Sequence, residues 1–284
     1  MQEHWYNRWA EKGRSPDPDE MREWADYLAD RTSTSTISLP DWREAVEEGI
    51  FVTREDYLAA LRSFCMCIGE KKLGAALLQK DEQLLRMVKT LDELSEILNH
   101  FTERLADWYS TYDPHFARKD HPLRERDLLA QMHQAGDEIF ISSVNEAERL
   151  LSLRTSLSRE VSRRAEEAYP NCSALVGGLV ASRLVARAGG LERFARMSSA
   201  TIQVLGAENA LFSHLHAGTP PPKHGIIYQH KRVHAAPREV RGRVARVIAG
   251  RLSLAARLDF YREKLVPEFV EEAQKRIDRA GKKR

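Results

Sequence analysis

Two long stretches of apolar periodicity, separated by a proline-bounded break, constrain this chain more than any other feature. Between residues 81 and 112, Leu84, Val88, Leu91, Ser95, Leu98, Thr102 and Leu105 alternate steps of four and three, the spacing of a coiled-coil seam with two polar interruptions. Leu94, Phe101, Trp108 and Tyr109 widen that face. Pro114 and Pro122 then break the pattern, because proline lacks an N–H and disfavours a helical residue before it. A second long helix is expected over residues 124–168, with Leu128, Met132, Ala135, Ile139, Leu150, Leu153, Leu157 and Val161 as its apolar positions. Gly136, Ser142 and Glu146 interrupt it. Helices of this length joined by a short turn fold back on each other, so residues 81–168 are expected to form an antiparallel hairpin. Such a hairpin serves either as a pairing surface or as a rigid spacer.

Pro170 closes the hairpin and opens the last region, residues 169–284. Its first segment holds Gly177-Gly178 and Gly189-Gly190 within an otherwise helical pattern. Neither pair sits in the context of a phosphate-binding loop or a dinucleotide fingerprint, so both are read as helix packing and capping. With a small, mostly helical N-terminal domain over residues 1–80, the fold class expected is mainly α.

Charge separates the two ends. Of the 44 Lys and Arg and 42 Asp and Glu, residues 1–112 carry 14 basic and 22 acidic side chains, leaving 30 and 20 for residues 113–284. Between Pro220 and Asp259, nine Lys or Arg stand against only Glu239 and Asp259, with His224, His230 and His234 among them. A local excess of this kind in a nearly neutral chain is the footprint of a phosphate backbone. Pro237 suits a helix's first turn, and the residues from Val240 to Leu258 keep an apolar period near 3.6. Val240, Val244, Val247, Ile248, Leu252, Ala255 and Leu258 share one arc, and Arg243, Arg246 and Arg257 share the opposite one together with Gly250 and Ser253. Arg241 and Arg251 lean toward the apolar side and rank below them. Guanidinium groups suit phosphate through paired hydrogen bonds. The bland alternative is a solvated basic face.

Before that helix, Thr219-Pro220-Pro221-Pro222 forces an extended segment that delivers Lys223, His224 and Gly225 to the surface. An imidazole there can stack on an unpaired base, and Gly225 would leave room for the base to approach. No recognition-helix or zinc pattern accompanies it, which favours structured RNA over duplex DNA. His214, His216, His224, His230 and Glu208 could supply a general base. However, no second carboxylate sits at metal-ligand spacing and no Ser-His or Cys-His motif supports them. A noncatalytic chain with no cofactor and no metal is expected. Cys65, Cys67 and Cys172 are odd in number and lack a second metal-binding pair, so buried reduced thiols are expected. No apolar run approaches the roughly 20 residues of a membrane span, and a soluble intracellular protein is expected.

Residues 206–259 resemble a known family, the Nop domain of the scaffold proteins of box C/D ribonucleoproteins. The resemblance rests on Gly206-Ala207-Glu208, Ala210-Leu211-Phe212, His214-Leu215, Pro221-Pro222-Lys223-His224-Gly225 and Gln229-His230. It continues through Arg241-Gly242-Arg243, Ala245-Arg246 and Ala255-Ala256-Arg257-Leu258-Asp259. It implies a module that binds a kink-turn guide RNA once a small, ribosomal-type kink-turn-binding protein has docked. The implied RNA-binding residues are Lys223, His224, Gly225, Gln229, Arg243, Arg246 and Arg257, with Asn209 and Arg241 beside them. Gly206, Ala207 and Glu208 are the implied contact to the protein partner. Asn209 and Ser213 stand where the family usually has basic residues, a loss of two positive charges.

The resemblance resumes near Asp41, through Ala45 to Phe51 and Tyr57 to Leu78. In the family the N-terminal domain is a longer α/β unit that docks fibrillarin, the methyltransferase. Few residues precede Asp41, so a reduced domain is expected and fibrillarin docking is left open. Trp5, Trp9 and Trp24 either close a small helical core or hold a partner. The family's coiled coil pairs two scaffold molecules, which implies a homodimer here. The implied compartment is cytoplasmic for an archaeal-type protein and nucleolar or nuclear for a eukaryotic one. A paralogue that keeps the RNA module without the methyltransferase is the alternative.

Overall fold

A computed structural model describes residues 18–31, 42–77, 80–116, 125–134 and 136–281. Trp5, Trp9, the run from Thr32 to Thr36, Pro122, Ala135 and the tail Lys282-Lys283-Arg284 lie outside the described residues. Among the described residues every regular element is helical. The chain divides into two compact units, 1–79 and 80–284.

The first unit contains α1 (Pro18–Arg31), α2 (Trp42–Glu47) and α3 (Arg54–Leu77). Met21, Ala25, Ala45, Ile50, Phe51, Tyr57 and Phe64 form its core, with Trp24 and Trp42 packed against it. Trp24 therefore closes a small core. A reciprocal cap starts α3. The Asp56 N–H donates to the Thr53 hydroxyl at 3.1 Å, and the Thr53 N–H donates to the Asp56 carboxylate at 3.1 Å. Cys65 is exposed and Cys67 half-buried, which corrects the expectation of buried thiols for both.

The second unit opens with α4 (Lys80–Tyr109), α5 (Glu125–Met132) and α6 (Glu138–Ala168). Leu84, Val88, Leu91, Leu98, Thr102 and Leu105 of the seam are buried, and the Ser95 hydroxyl turns back to the Leu91 carbonyl at 2.7 Å. The early residues of α4, Leu84 to Leu91, share a core with Val161 and Ala165 at the end of α6. The late ones, Leu98 to Tyr109, share another with Phe140, Val144 and Ala147 at its start. The two helices are therefore antiparallel.

The second arm is not one helix. The chain leaves α5 after Met132, and α6 starts afresh where the Asp137 carboxylate accepts from the Phe140 N–H at 2.8 Å. This restart moves the buried stripe by one position, to Phe140, Val144 and Ala147. Ile139 and Leu153, expected in the seam, are 70% and 55% exposed instead. Ser142 and Glu146 also face solvent and interrupt nothing.

Beyond the hairpin come α7 (Pro170–Val176), α8 (Gly178–Ala188), α9 (Leu191–Arg196), α10 (Ser199–Val204) and α11 (Glu208–Ala217). A 3-10 turn (Ile226–Gln229), α12 (Lys231–His234), α13 (Arg241–Arg262) and α14 (Pro267–Gly281) follow. One core joins them to the hairpin base, so the expected boundary between 168 and 169 falls inside a shared interior. Arg183 of α8 reinforces the junction with Asp92 of α4, at 2.8 Å from Nε and 2.6 Å from Nη2. Gly178 lies against the Ser162 carbonyl of α6 with no room for a side chain.

Helix α13 is the axle of this assembly. Val244, Ala245, Ile248, Ala249, Leu252, Ala255 and Ala256 are buried, each large apolar one contributing about 1.5–3 kcal/mol. At its end Asp259, fully buried, accepts from the Asn171 N–H at 2.9 Å, the Asn171 amide at 2.7 Å and the Cys172 N–H at 2.9 Å. The carboxylate thus caps α7. Burial and the same carboxylate push the Cys172 thiol well above its ordinary value, which keeps it a thiol. Asn171 in turn binds the Lys264 carbonyl and the Val266 N–H, both at 2.8 Å. Asp259→Ala would strand two buried N–H groups and the Asn171 amide. It is expected to lower stability by about 3 kcal/mol in a denaturant titration, and more than Asp259→Asn does.

Candidate nucleic-acid interface

With so much of α13 enclosed, its solvent-facing arc is narrow. At about 100° per residue, the exposed Arg243, Arg246, Leu254 and Arg257 and the half-buried Gly250 occupy roughly 80° of the circumference. The three arginines expected on this face are the cations exposed there. Ser253, expected beside them, is buried and its hydroxyl points to the Met197 carbonyl at 3.4 Å. Arg246 makes no ion pair among the described residues. Arg243 donates Nε to the Ala280 carbonyl at 3.0 Å, and Arg257 donates Nε to the Ala195 carbonyl at 3.2 Å. Both arginines thereby satisfy carbonyls at helix ends while their heads stay exposed. From Arg243 to Arg257 the stripe runs about 21 Å, at about 1.5 Å per residue. It is a track for several nucleotides rather than one cradle.

The proline-propped loop docks at the N-terminal end of this track. The Lys223 side chain lies over Gly242, and its carbonyl accepts from the Gln203 amide at 2.8 Å. The Gly225 N–H donates to the Gln203 carbonyl at 3.0 Å and the Ile226 N–H to the Leu205 carbonyl at 2.8 Å. A Cβ on Gly225 would stand 2.0 Å from the Leu205 oxygen. The missing side chain therefore serves backbone packing, which corrects the expectation that it makes room for a base.

His224 is half-buried, its ring stacked on Tyr228 at 4.7 Å between centroids and 19° between planes. Burial, then the charges of Arg241 and Lys223, push this imidazole below its ordinary value, so it is neutral near pH 7. Arg241, ranked low from the sequence, lies 5.2 Å over the Tyr228 ring and is held by the Ala236 carbonyl at 3.2 Å. Gln229 is exposed but engaged, its carbonyl oxygen accepting from Arg183 at 2.7 Å. That contact turns it toward α8.

Gly206, Ala207 and Glu208 set a turn. The Glu208 carboxylate takes 3.0 and 2.7 Å bonds from Arg187 and a 3.0 Å bond from the Gly206 N–H, and the Arg187 bond first of all holds it down to about 2. The turn launches α11, which buries no residue at all. Asn209 is exposed there, as are Leu211, Phe212 at 62% and Leu215 at 71%. His214 bonds the Thr219 carbonyl and His216 the Phe212 carbonyl at 3.1 Å. No group of three or more His, Cys, Asp or Glu among the described residues could hold a metal. None of their helices is long and apolar enough to cross a membrane.

Residues 129–283 match the Nop family model, described as "snoRNA binding domain, fibrillarin". The chain belongs to the Nop family. It is 28% identical to an uncharacterized NOP5 family protein of Methanocaldococcus jannaschii, over 93% of this chain and 75% of the relative. It is 29% identical to nucleolar protein 56 of Dictyostelium discoideum and 30% identical to nucleolar protein 58 of Lodderomyces elongisporus. Those matches take in 66% and 69% of this chain, and the chain spans less than half of each of those two relatives, 42% and 45%. Among solved structures, the crystal structure of a fibrillarin/Nop5p complex holds a chain similar to this one. The TM-score is 0.52 and the identity 25%, over 90% of this chain and 91% of that chain.

In this Nop-family member the sequence reading missed Tyr228, Arg187 and Asn171, whose roles come from partners 4, 21 and 88 positions away. A further group outside the exposed face has a measurable consequence. His230 is buried with Nδ1 unpartnered, and burial, then Arg232 and Lys231, push it down to about 4 from 6.5. Below pH 6.5 the unfolded chain therefore binds a proton that the folded chain refuses, so stability falls as pH drops from 6.5 toward 4. His230→Gln is expected to flatten that part of the stability profile, by up to about 1.4 kcal/mol per pH unit, in denaturant titrations across the window. Gly225→Ala is expected to lower the thermal midpoint whether or not RNA is present.

Proposed function

We propose that this Nop-family chain is an RNA-binding scaffold of a box C/D-type ribonucleoprotein. On this reading it recognises a kink-turn RNA jointly with a small kink-turn-binding protein and supports guide-directed 2′-O-methylation. The observation that carries the reading is the exposed arginine stripe of α13 with the Lys223-His224 loop seated at its N-terminal end. Phosphates along the track meet Arg243, Arg246 and Arg257, and an unpaired base meets the His224 ring. Guanidinium groups already oriented by helix-end carbonyls lose less freedom on meeting phosphate. A neutral, half-exposed imidazole offers a flat face with little desolvation.

Helix α11 is the surface for the small protein partner. A helix with no buried side chain and with Leu211, Phe212 and Leu215 exposed is covered in its working state. With Asn209 and Ser213 uncharged, that contact is more apolar than electrostatic. Gly206, Ala207 and Glu208 then act by presenting α11, because the Glu208 carboxylate is already committed to Arg187.

At the far end of the hairpin the partly exposed Trp108 and Tyr112 rings pack against the buried Phe140 ring, and Ile139, next to Phe140 in the chain, is exposed. Pairing of two chains through this end would cover them. The solved fibrillarin/Nop5p complex supports fibrillarin as a further partner. The eukaryotic relatives are named nucleolar proteins, and we infer that a eukaryotic bearer of this chain would work there.

Titration of a kink-turn RNA with and without the small kink-turn-binding protein tests the central reading, with tight binding expected only when both are present. Arg246→Glu is expected to weaken assembly and to lower the salt dependence by about one charge, with an unchanged thermal midpoint. Equal binding by wild type and variant would refute the track. Light scattering is expected to give a dimer that Ile139→Asp converts to monomer. Pull-down of fibrillarin separates a methylation scaffold from a paralogue without the methyltransferase.

A further inference from the structure

Tyr228 belongs to none of the roles assigned so far, yet it is the most constrained ring in the interface. Its backbone is pinned inside the 3-10 turn, where the Tyr228 N–H donates to the Gly225 carbonyl at 2.9 Å and the neighbouring Ile227 is fully buried. Three groups converge on the phenol ring. His224 stacks nearly parallel at 4.7 Å and 19°, the Arg241 guanidinium lies at 5.2 Å, and His234 packs at 5.2 Å with a 53° tilt. Arg241 is itself tied to the Ala236 carbonyl at 3.2 and 3.3 Å and to the His234 carbonyl at 3.4 Å, so the charge over the ring stays in place.

The flat face of Tyr228 lies against the His224 imidazole, nearly parallel to it, and limits its rotation. A ring free to rotate about its side-chain bonds loses that freedom when a base stacks on it, and a ring already held flat does not. Stacking on Tyr228 covers one face of the imidazole, and the residue as a whole stays half-exposed.

We propose that Tyr228 is the positioning residue for RNA recognition: with Arg241 over its ring, it holds the His224 imidazole flat as a preformed platform for a single unpaired nucleobase. This rests on the reading of residues 223–257 as the RNA interface. The platform selects an unstacked base by its π face, not by hydrogen bonds to its edge, so it tolerates all four bases at that position. The positive charge of Arg241 close to the imidazole favours its neutral form, and base binding by the platform is therefore insensitive to pH around neutrality.

The test uses the full chain and a kink-turn RNA already bound to a kink-turn-binding protein, with affinities measured for His224→Ala, Tyr228→Ala, Tyr228→Phe and the double variant His224→Ala/Tyr228→Ala. His224→Ala is expected to weaken binding about tenfold, within the range of one lost base stack. Tyr228→Ala should come within about threefold of that loss, Tyr228→Phe should bind as wild type, and the double variant should bind no more weakly than His224→Ala. In Tyr228→Ala the imidazole of His224, followed by NMR, should titrate closer to its ordinary value. Tyr228→Leu, which keeps bulk without a flat face, should match Tyr228→Ala and covers the case in which the smaller side chain fails to fold. Wild-type binding by Tyr228→Ala, or losses that add in full in the double variant, would overturn the platform while leaving the RNA interface standing. An unaffected His224→Ala would overturn both.

Discussion

Everything downstream of the hairpin depends on one buried carboxylate. Asp259 accepts three N–H bonds from Asn171 and Cys172, and a fully enclosed charge with that coordination tolerates neither rotation nor translation of the helix that carries it. It locks α13 to α7, and Asn171 passes the constraint on to the start of α14 through Lys264 and Val266. A rotation of α13 by one residue, about 100°, would carry Arg246 and Arg257 toward the interior and Ala245 and Ala256 into water. The polar knot at one end of the helix therefore decides which side chains reach solvent along its whole length.

That lock explains why the arginines can be both structural and solvent-facing. Arg243 and Arg257 each use Nε to satisfy a carbonyl at the end of a neighbouring helix, where a cation also complements the helix dipole. The bonds fix each guanidinium's stem and leave its head at the surface. The loop at the N-terminal end of the track is held by similar means. Gly225 and Ile226 bond to Gln203 and Leu205, and the prolines before them remove slack. The positive track and the imidazole platform are thus preformed, and binding need not pay for their ordering.

How much of this was legible in the sequence differs from element to element. The first arm of the hairpin was readable because a seven-residue repeat over 30 residues leaves one face for burial, and every hydrophobic residue named for its seam is buried. The second arm was readable as helical but not as two helices: Leu128, Met132 and Val161 are buried as expected, while Ile139 and Leu153 fall out of phase. Its repeat restarts at Asp137, and a restart by one position moves the buried stripe without changing the composition. The arginine face was readable because helical spacing alone groups residues 243, 246 and 257. Ser253 was misplaced at its edge because α13 is packed on several sides, and no apolar repeat records a neighbour that covers a flank.

The sequence by itself determined that the chain is helical, that it carries a long antiparallel hairpin arm, that its positive charge gathers on one helix and one loop, and that it resembles the Nop domain. The first three are properties of spacing and composition, which follow from the few residues that share a turn or a strip of helix, and the last rests on its particular motifs. Only the tertiary structure decided that Gly225 serves packing, that Glu208 belongs to Arg187, that Tyr228 lies under His224 and that Arg241 stands with them. Each of those facts is set where two segments close against each other, at distances that no local periodicity encodes, because the contact exists only once the core has brought its two sides together.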